Sequence, residues 1–220
     1  MNPLLILLGI AVLSAAWFGP LPQLATASFT AHMAMHVSVV AIAAPLIGAG
    51  LLGSKPLERH LPSWVLVPVP ASLLEFVVVW GWHVPAFHHL AREHAGAFVA
   101  EQASFLVAGV LLWASALRRS TTGEDGHGTG VVALLLTSMH MILLGTLLTL
   151  ATRPLYHIAA SQDARTALLA DQQIGGMLML AGGGLPYLIG GLYLVWRLLQ
   201  APPQFAEIAP ARSDRQGGES

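Results

Sequence analysis

Apolar runs that approach or exceed the length needed to cross a bilayer restrict this chain more than any single motif does. Six can be read, from about Pro3 to Phe18, Ser28 to Leu52, Trp64 to Trp82, Ala97 to Leu117, Val131 to Leu150 and Gly175 to Leu199. A hydrocarbon core ~30 Å thick takes roughly 20 helical residues to cross. Within it every backbone N–H and C=O must be paired inside the segment, so each run is predicted to be helical. The expected fold class is all-α, a polytopic membrane helical bundle of six transmembrane helices. With 55% hydrophobic residues, 10% charged residues and a mean hydropathy of +0.67, the chain leaves no room for a soluble domain. Residues 1–200 read as one transmembrane helical domain in the lipid bilayer. The polar stretch 201–220 reads as a disordered cytoplasmic tail.

Charge and cysteine usage remove several classes of function. A net charge of −1 with no basic run argues against nucleic acid as a partner. The absence of cysteine excludes disulfides, thiolate zinc sites and iron–sulfur clusters. No nucleophile elbow, phosphate-binding glycine loop or intramembrane protease motif occurs, so the chain is not expected to be an enzyme.

Lys and Arg set the expected orientation. Lys55, Arg59, Arg118, Arg119, Arg197, Arg212 and Arg215 fall on the side of the amino terminus, and Arg92, Arg153 and Arg165 on the other. Seven against three places both termini in the cytoplasm. Ala25-Thr26-Ala27 fits a small-x-small cleavage site, but no Lys or Arg precedes the first run, so that span is expected to be retained.

In this frame seven of the ten histidines lie at or towards the outer face, while His60 and His127 fall in cytoplasmic loops and His140 near the midplane. His32 and His36 are four residues apart, one turn along one helix face, roughly 6 and 12 Å inside the outer edge. Met33 and Met35 lie between them. Met139-His140-Met141 sits mid-span, with His140 roughly 15 Å from its outer end and near the depth of His36. Imidazole and thioether together suit copper, especially Cu(I). Met177 lies at the outer start of the last span. Ionisable groups inside a membrane are costly and usually functional. Glu75, roughly 10 Å below the outer end of the third span, is therefore preferred over Glu101 as an imidazole's carboxylate partner. Asp171 is read as a ligand, a partner orienting a histidine, or a helix cap. Trp17, Trp64, Trp80 and Trp82 read as interfacial anchors.

These motifs carry a resemblance. Phe29-Thr30-Ala31-His32-Met33-Ala34-Met35-His36 with Ala44-Pro45-Leu46-Ile47, Trp82-His83-Val84-Pro85-Ala86, Ser104 to Gly109 through Trp113, and Asp171-Gln172-Gln173-Ile174-Gly175-Gly176-Met177 are similar to the membrane-integral CtaG family of cytochrome c oxidase assembly factors. The resemblance implies a bacterial inner-membrane protein that helps assemble a haem–copper oxidase by aiding copper delivery to its catalytic subunit. It directs attention to His32, Met33, His36, His83, Asp171 and Gln172. His140 and Met141 fall in a more loosely matching span. Two features depart from the family: six spans are counted where many members have seven, and Gln102 stands where a histidine is expected after Glu101.

The expected function is transient copper binding, with candidate metal ligands His32, Met33, Met35, His36, His83, His140 and Met177. Glu75, Met141, Asp171 and Gln172 are candidate supporting groups. Rival readings are a haem-binding protein with axial histidines, a proton-coupled transporter using Glu75, and a metal-free scaffold whose histidines only join helices.

Overall fold

The structure, a computed structural model, describes residues 1–52, 66–118, 126–156 and 161–200. The expected tail at 201–220 lies outside these residues, as do His60 and Trp64. Helices follow from local signals. Asn2 caps α1 (Pro3–Phe18) by accepting from the Leu4 amide, Pro3 occupies its first turn, and Gly19-Pro20 ends it. A short α2 (Leu21–Ala25) leads to α3 (Phe29–Val37), whose cap Ser28 accepts from the Ala31 amide.

After α3 the helix widens into a π segment, Ser38–Ala43, before α4 (Ala44–Gly50). The same happens between α9 (Gln162–Leu178) and α10 (Gly184–Leu199), where Met179–Gly183 is π-helical. A proline follows closely each time, Pro45 and Pro186. A proline ring has no N–H and crowds the carbonyl four residues back, so a wider turn upstream relieves the clash without ending the helix.

Between these lie α5 (Pro68–Trp82), α6 (Pro85–Glu93), α7 (Ala95–Leu117) and α8 (Gly126–Thr149). Pro68 and Pro70 occupy the first turn of α5, where missing donors cost little. Val84 precedes Pro85, is held extended (φ −65°, ψ 130°) and breaks the helix, so α5 and α6 meet at a 74° bend.

Among the described residues, four helical stretches are long and apolar enough to cross a membrane: Phe29–Gly50, Ala95–Leu117, Gly128–Thr149 and Gln162–Leu199. The bent α5–α6 pair makes a fifth if counted as one span. α1 is apolar but only 16 residues long, roughly 24 Å, short of the ~30 Å hydrocarbon core. Six uniform spans therefore do not describe the fold. The third run is followed by a sharp bend at Pro85, and the last long helical stretch begins at Gln162, well before Gly175.

α8 packs along α10 and α9, α7 bridges α4 and α5, and α3 lies against α9. α8 and α9 approach closely at a glycine pair: a Cβ on Gly145 would stand 2.6 Å from the Leu180 nitrogen, and one on Gly176 2.6 Å from Thr149 Oγ1. Phe105, Leu112, Leu134, Tyr187 and Leu194 fill the interior, while Val77, Val99, Leu143, Ile189 and Leu192 face outward. That exposed apolar belt is what a lipid-facing surface requires. Inside, Ser72 and Thr137 share a 2.8 Å hydrogen bond between α5 and α8.

Candidate metal centre

His32 and His36 share one face of α3, and their Nε2 atoms lie 2.7 Å apart with the rings edge to face at 80°. Glu101, on α7, brings Oε1 to 3.6 Å from the His32 Nε2 and 3.5 Å from the His36 Nε2. All three side chains are buried, Glu101 completely. A point equidistant from these three atoms lies roughly 2 Å from each, the length of a metal–nitrogen or metal–oxygen bond. Oε1 of Glu101 has no hydrogen-bond partner. A buried acceptor without one ordinarily costs about 1–3 kcal/mol. In the sequence Glu101 ranks below Glu75 because the fourth apolar run starts only four residues before it, at Ala97. α7 in fact begins at Ala95, which carries Glu101 well into the helix and into the interior.

Asp171 fixes where α3 begins. From the middle of α9 its carboxylate accepts from the Ser28 hydroxyl (2.9 Å) and from the amides of Phe29 (2.5 Å) and Thr30 (3.2 Å), while the Thr30 hydroxyl donates to the Asp171 carbonyl (2.9 Å). Asp171 is thus a cap, but of a neighbouring helix, satisfying amides at the positive end of α3. His32 projects from the next turn.

Gln102 governs the His36 ring. The indole Nε1 of Trp17, which can only donate, is 3.0 Å from Oε1 of Gln102. The amide nitrogen of Gln102 therefore faces Nδ1 of His36 at 3.1 Å and Oε2 of Glu101 at 3.3 Å. With its Nδ1 lone pair engaged, neutral His36 carries its proton on Nε2 and donates towards His32. An ion at Nε2 requires the other tautomer, with Nδ1 donating, so the amide must turn and Trp17 must lose its acceptor. Trp17 is part of the site's support, a role the anchor reading missed.

Two further imidazoles flank the cluster. The His88 ring centroid lies 4.8 Å from that of His32, and the His83 centroid 6.1 Å from that of His36. Nδ1 of His83 lies 2.6 Å from the Val79 carbonyl, an acceptor only, so Nδ1 bears the proton and Nε2 a free lone pair. Nε2 of His83 and Nε2 of His88 are both buried without partners. Tyr156 donates to the His83 carbonyl at 2.9 Å and stacks on Phe29 at 4.8 Å. Burial pushes its phenol well above the usual range, so it remains the donor. The sequence reading left His88 aside because nothing local shows that the bend at Pro85 folds α6 back over α3.

The remaining candidates do not join the three converging groups. Met35 is buried and packs with Ala16 and Ala25. Met177 is half exposed on the outside of α9, whereas Met179, two residues on, is buried. Met33 and Met141 are buried in the main core. His140 is buried against Phe76, with both ring nitrogens unpartnered, and is not among the three converging groups. Glu75 lies 2.5 Å from the Tyr187 hydroxyl, which also meets the Val40 carbonyl at 3.0 Å, so it orients no histidine. Gln172 accepts from the Leu155 amide at 2.7 Å and donates to the Leu148 carbonyl, tying down the chain after α8.

A cleft of about 310 Å³ reaches His32 from one end of the bundle, between α2, α6 and the start of α7. Thr26, Arg92 and Phe98 line it, and Arg92 donates to the Thr26 carbonyl.

These features define a multi-pass helical membrane protein with a buried imidazole–carboxylate cluster reached from one end. The chain belongs to the cytochrome c oxidase caa3 assembly factor family (Caa3_CtaG), whose model matches residues 3–201. No curated protein and no solved structure matches it significantly. Family membership associates the protein with a membrane and with an oxidase under assembly.

Proposed function

We propose that the protein takes up copper at His32, His36 and Glu101 and passes it to the catalytic subunit of a haem–copper oxidase in a bacterial inner membrane. One observation carries the reading: two Nε2 atoms and an unpartnered carboxylate oxygen converge at metal-binding distances in a buried site beside an open cleft. Imidazole suits copper, and the oxidase is the member of the pair that needs it.

A carrier must also let go. The Trp17–Gln102 contact holds His36 in the tautomer that opposes an ion at Nε2, which weakens the site and favours release. The charge distribution supports both termini in the cytoplasm, with the cleft at the extracytoplasmic end. In this reading α1 and the bent α5–α6 pair also sit in the bilayer, giving six spans. Haem is disfavoured at this pair, because nitrogens on opposite sides of an iron lie roughly 4 Å apart and these lie 2.7 Å apart on one helix.

The test is the copper content of oxidase isolated from cells whose only copy carries His32→Ala/His36→Ala. Oxidase depleted of copper, and restored by excess copper in the medium, is expected. Fully loaded oxidase would overturn the reading. Loss of the oxidase polypeptide that copper does not repair would favour the metal-free scaffold.

A further inference from the structure

Beneath the His32–His36–Glu101 cluster lies a second, smaller space of different chemistry. It is a cavity of about 10 Å³, walled by Met33, Met141 and Met179 together with His36 and His83, and floored in part by Gly183. That volume is at the lower limit for one water molecule, and a water would need two to four polar partners. Val37, Val40, Val79 and Phe105 complete a largely apolar lining, against which the donors at hand are the three thioethers and the Nε2 of His83. That nitrogen is buried and unpartnered, and its lone pair is free because Nδ1 donates to Val79. Two helices, the residue that caps the end of α5 and a π segment contribute these groups.

We infer that this cavity is a second copper position, selective for soft monovalent ions, in which the thioethers of Met33, Met141 and Met179 and the Nε2 of His83 hold Cu(I). The inference rests on the copper reading of the upper cluster. Thioether sulfur is a soft ligand that suits Cu(I), whereas the carboxylate of Glu101 suits harder ions, so the two positions differ in the ion each favours. His36 stands in the wall between them, bonded to His32 above and lining the cavity below. Copper enters from the cleft at His32, crosses the imidazole pair as Cu(I), and rests among the sulfurs with no change of oxidation state.

Gly183 supplies a clean test. A Cβ there would meet Cγ of Met179 at 3.6 Å and Sδ of Met141 at 3.9 Å, ordinary contact distances. Gly183→Ala therefore fits the fold while placing a methyl group at the cavity wall. Met141→Leu/Met179→Leu removes the sulfurs with little change in volume, the kind of core exchange best tolerated.

Full-length protein loaded with Cu(I) is to be examined by copper K-edge X-ray absorption. Wild type is expected to show sulfur neighbours. They should persist in His32→Ala/His36→Ala loaded at equilibrium, and disappear in both Gly183→Ala and Met141→Leu/Met179→Leu. Copper bound by nitrogen and oxygen alone in wild type, or sulfur neighbours unchanged in both cavity variants, overturns the second position and leaves the upper site standing. Failure of wild type to bind copper at all overturns both.

Discussion

The indole N–H of Trp17 meets the side-chain oxygen of Gln102 at 3.0 Å, and through that amide a residue on α1 sets the tautomer of His36 on α3. An ion at the His36 Nε2 must reverse this arrangement. Trp17→Phe keeps an aromatic ring while freeing the amide to turn, and should tighten copper binding several-fold. Gln102→Glu presents only acceptors to Nδ1–H and to the indole, and should tighten it by about 10-fold or more, the scale of effects from groups that orient a metal-binding histidine. Competition with a copper chelator measures both. Weaker binding in either variant would contradict the tautomer argument.

Asp171 contacts α3 rather than an ion. Asp171→Asn retains the shape but gives up charge-assisted bonds to the Phe29 and Thr30 amides, and should destabilise the protein by about 1.5–3 kcal/mol. Thermal unfolding in detergent, followed by circular dichroism, should show a lower midpoint, with copper stoichiometry below the transition unchanged. Loss of one copper equivalent from a folded variant would make Asp171 a ligand and refute the capping role.

Orientation can be read directly because the chain has no cysteine. Gly96 and Gly128 each have nothing within 4 Å of an added Cβ, so a single cysteine is tolerated at either position. In intact cells with the outer envelope made permeable, Gly96→Cys should react with a membrane-impermeant maleimide, and Gly128→Cys only after the inner membrane is opened. The opposite pattern would put the cleft on the cytoplasmic side.

The sequence exposed the apolar runs and the His32–His36 pair, since both follow from helical periodicity within α3. What it left obscure depended on tertiary relations. Glu101 looked interfacial because helix α7 starts before its apolar stretch does. His88 belongs to a separate short helix and reaches His32 only through the Pro85 bend. Met177 and Met179 are indistinguishable in a sequence window, yet two positions apart on a helix face different ways, and only the second is buried. The two π segments compound this, because each shifts the register of every later side chain relative to an ideal α-helix. Asp171 was legible as a cap, but not as one that acts across the bundle.

The most direct test of the central claim is the electron paramagnetic resonance spectrum of purified protein given one equivalent of Cu(II). The geometry predicts hyperfine coupling to two imidazole nitrogens, with affinity falling by more than about 10-fold in both His32→Ala/His36→Ala and Glu101→Gln. A wild-type spectrum without nitrogen coupling, or one that both variants reproduce at the same affinity, would contradict it.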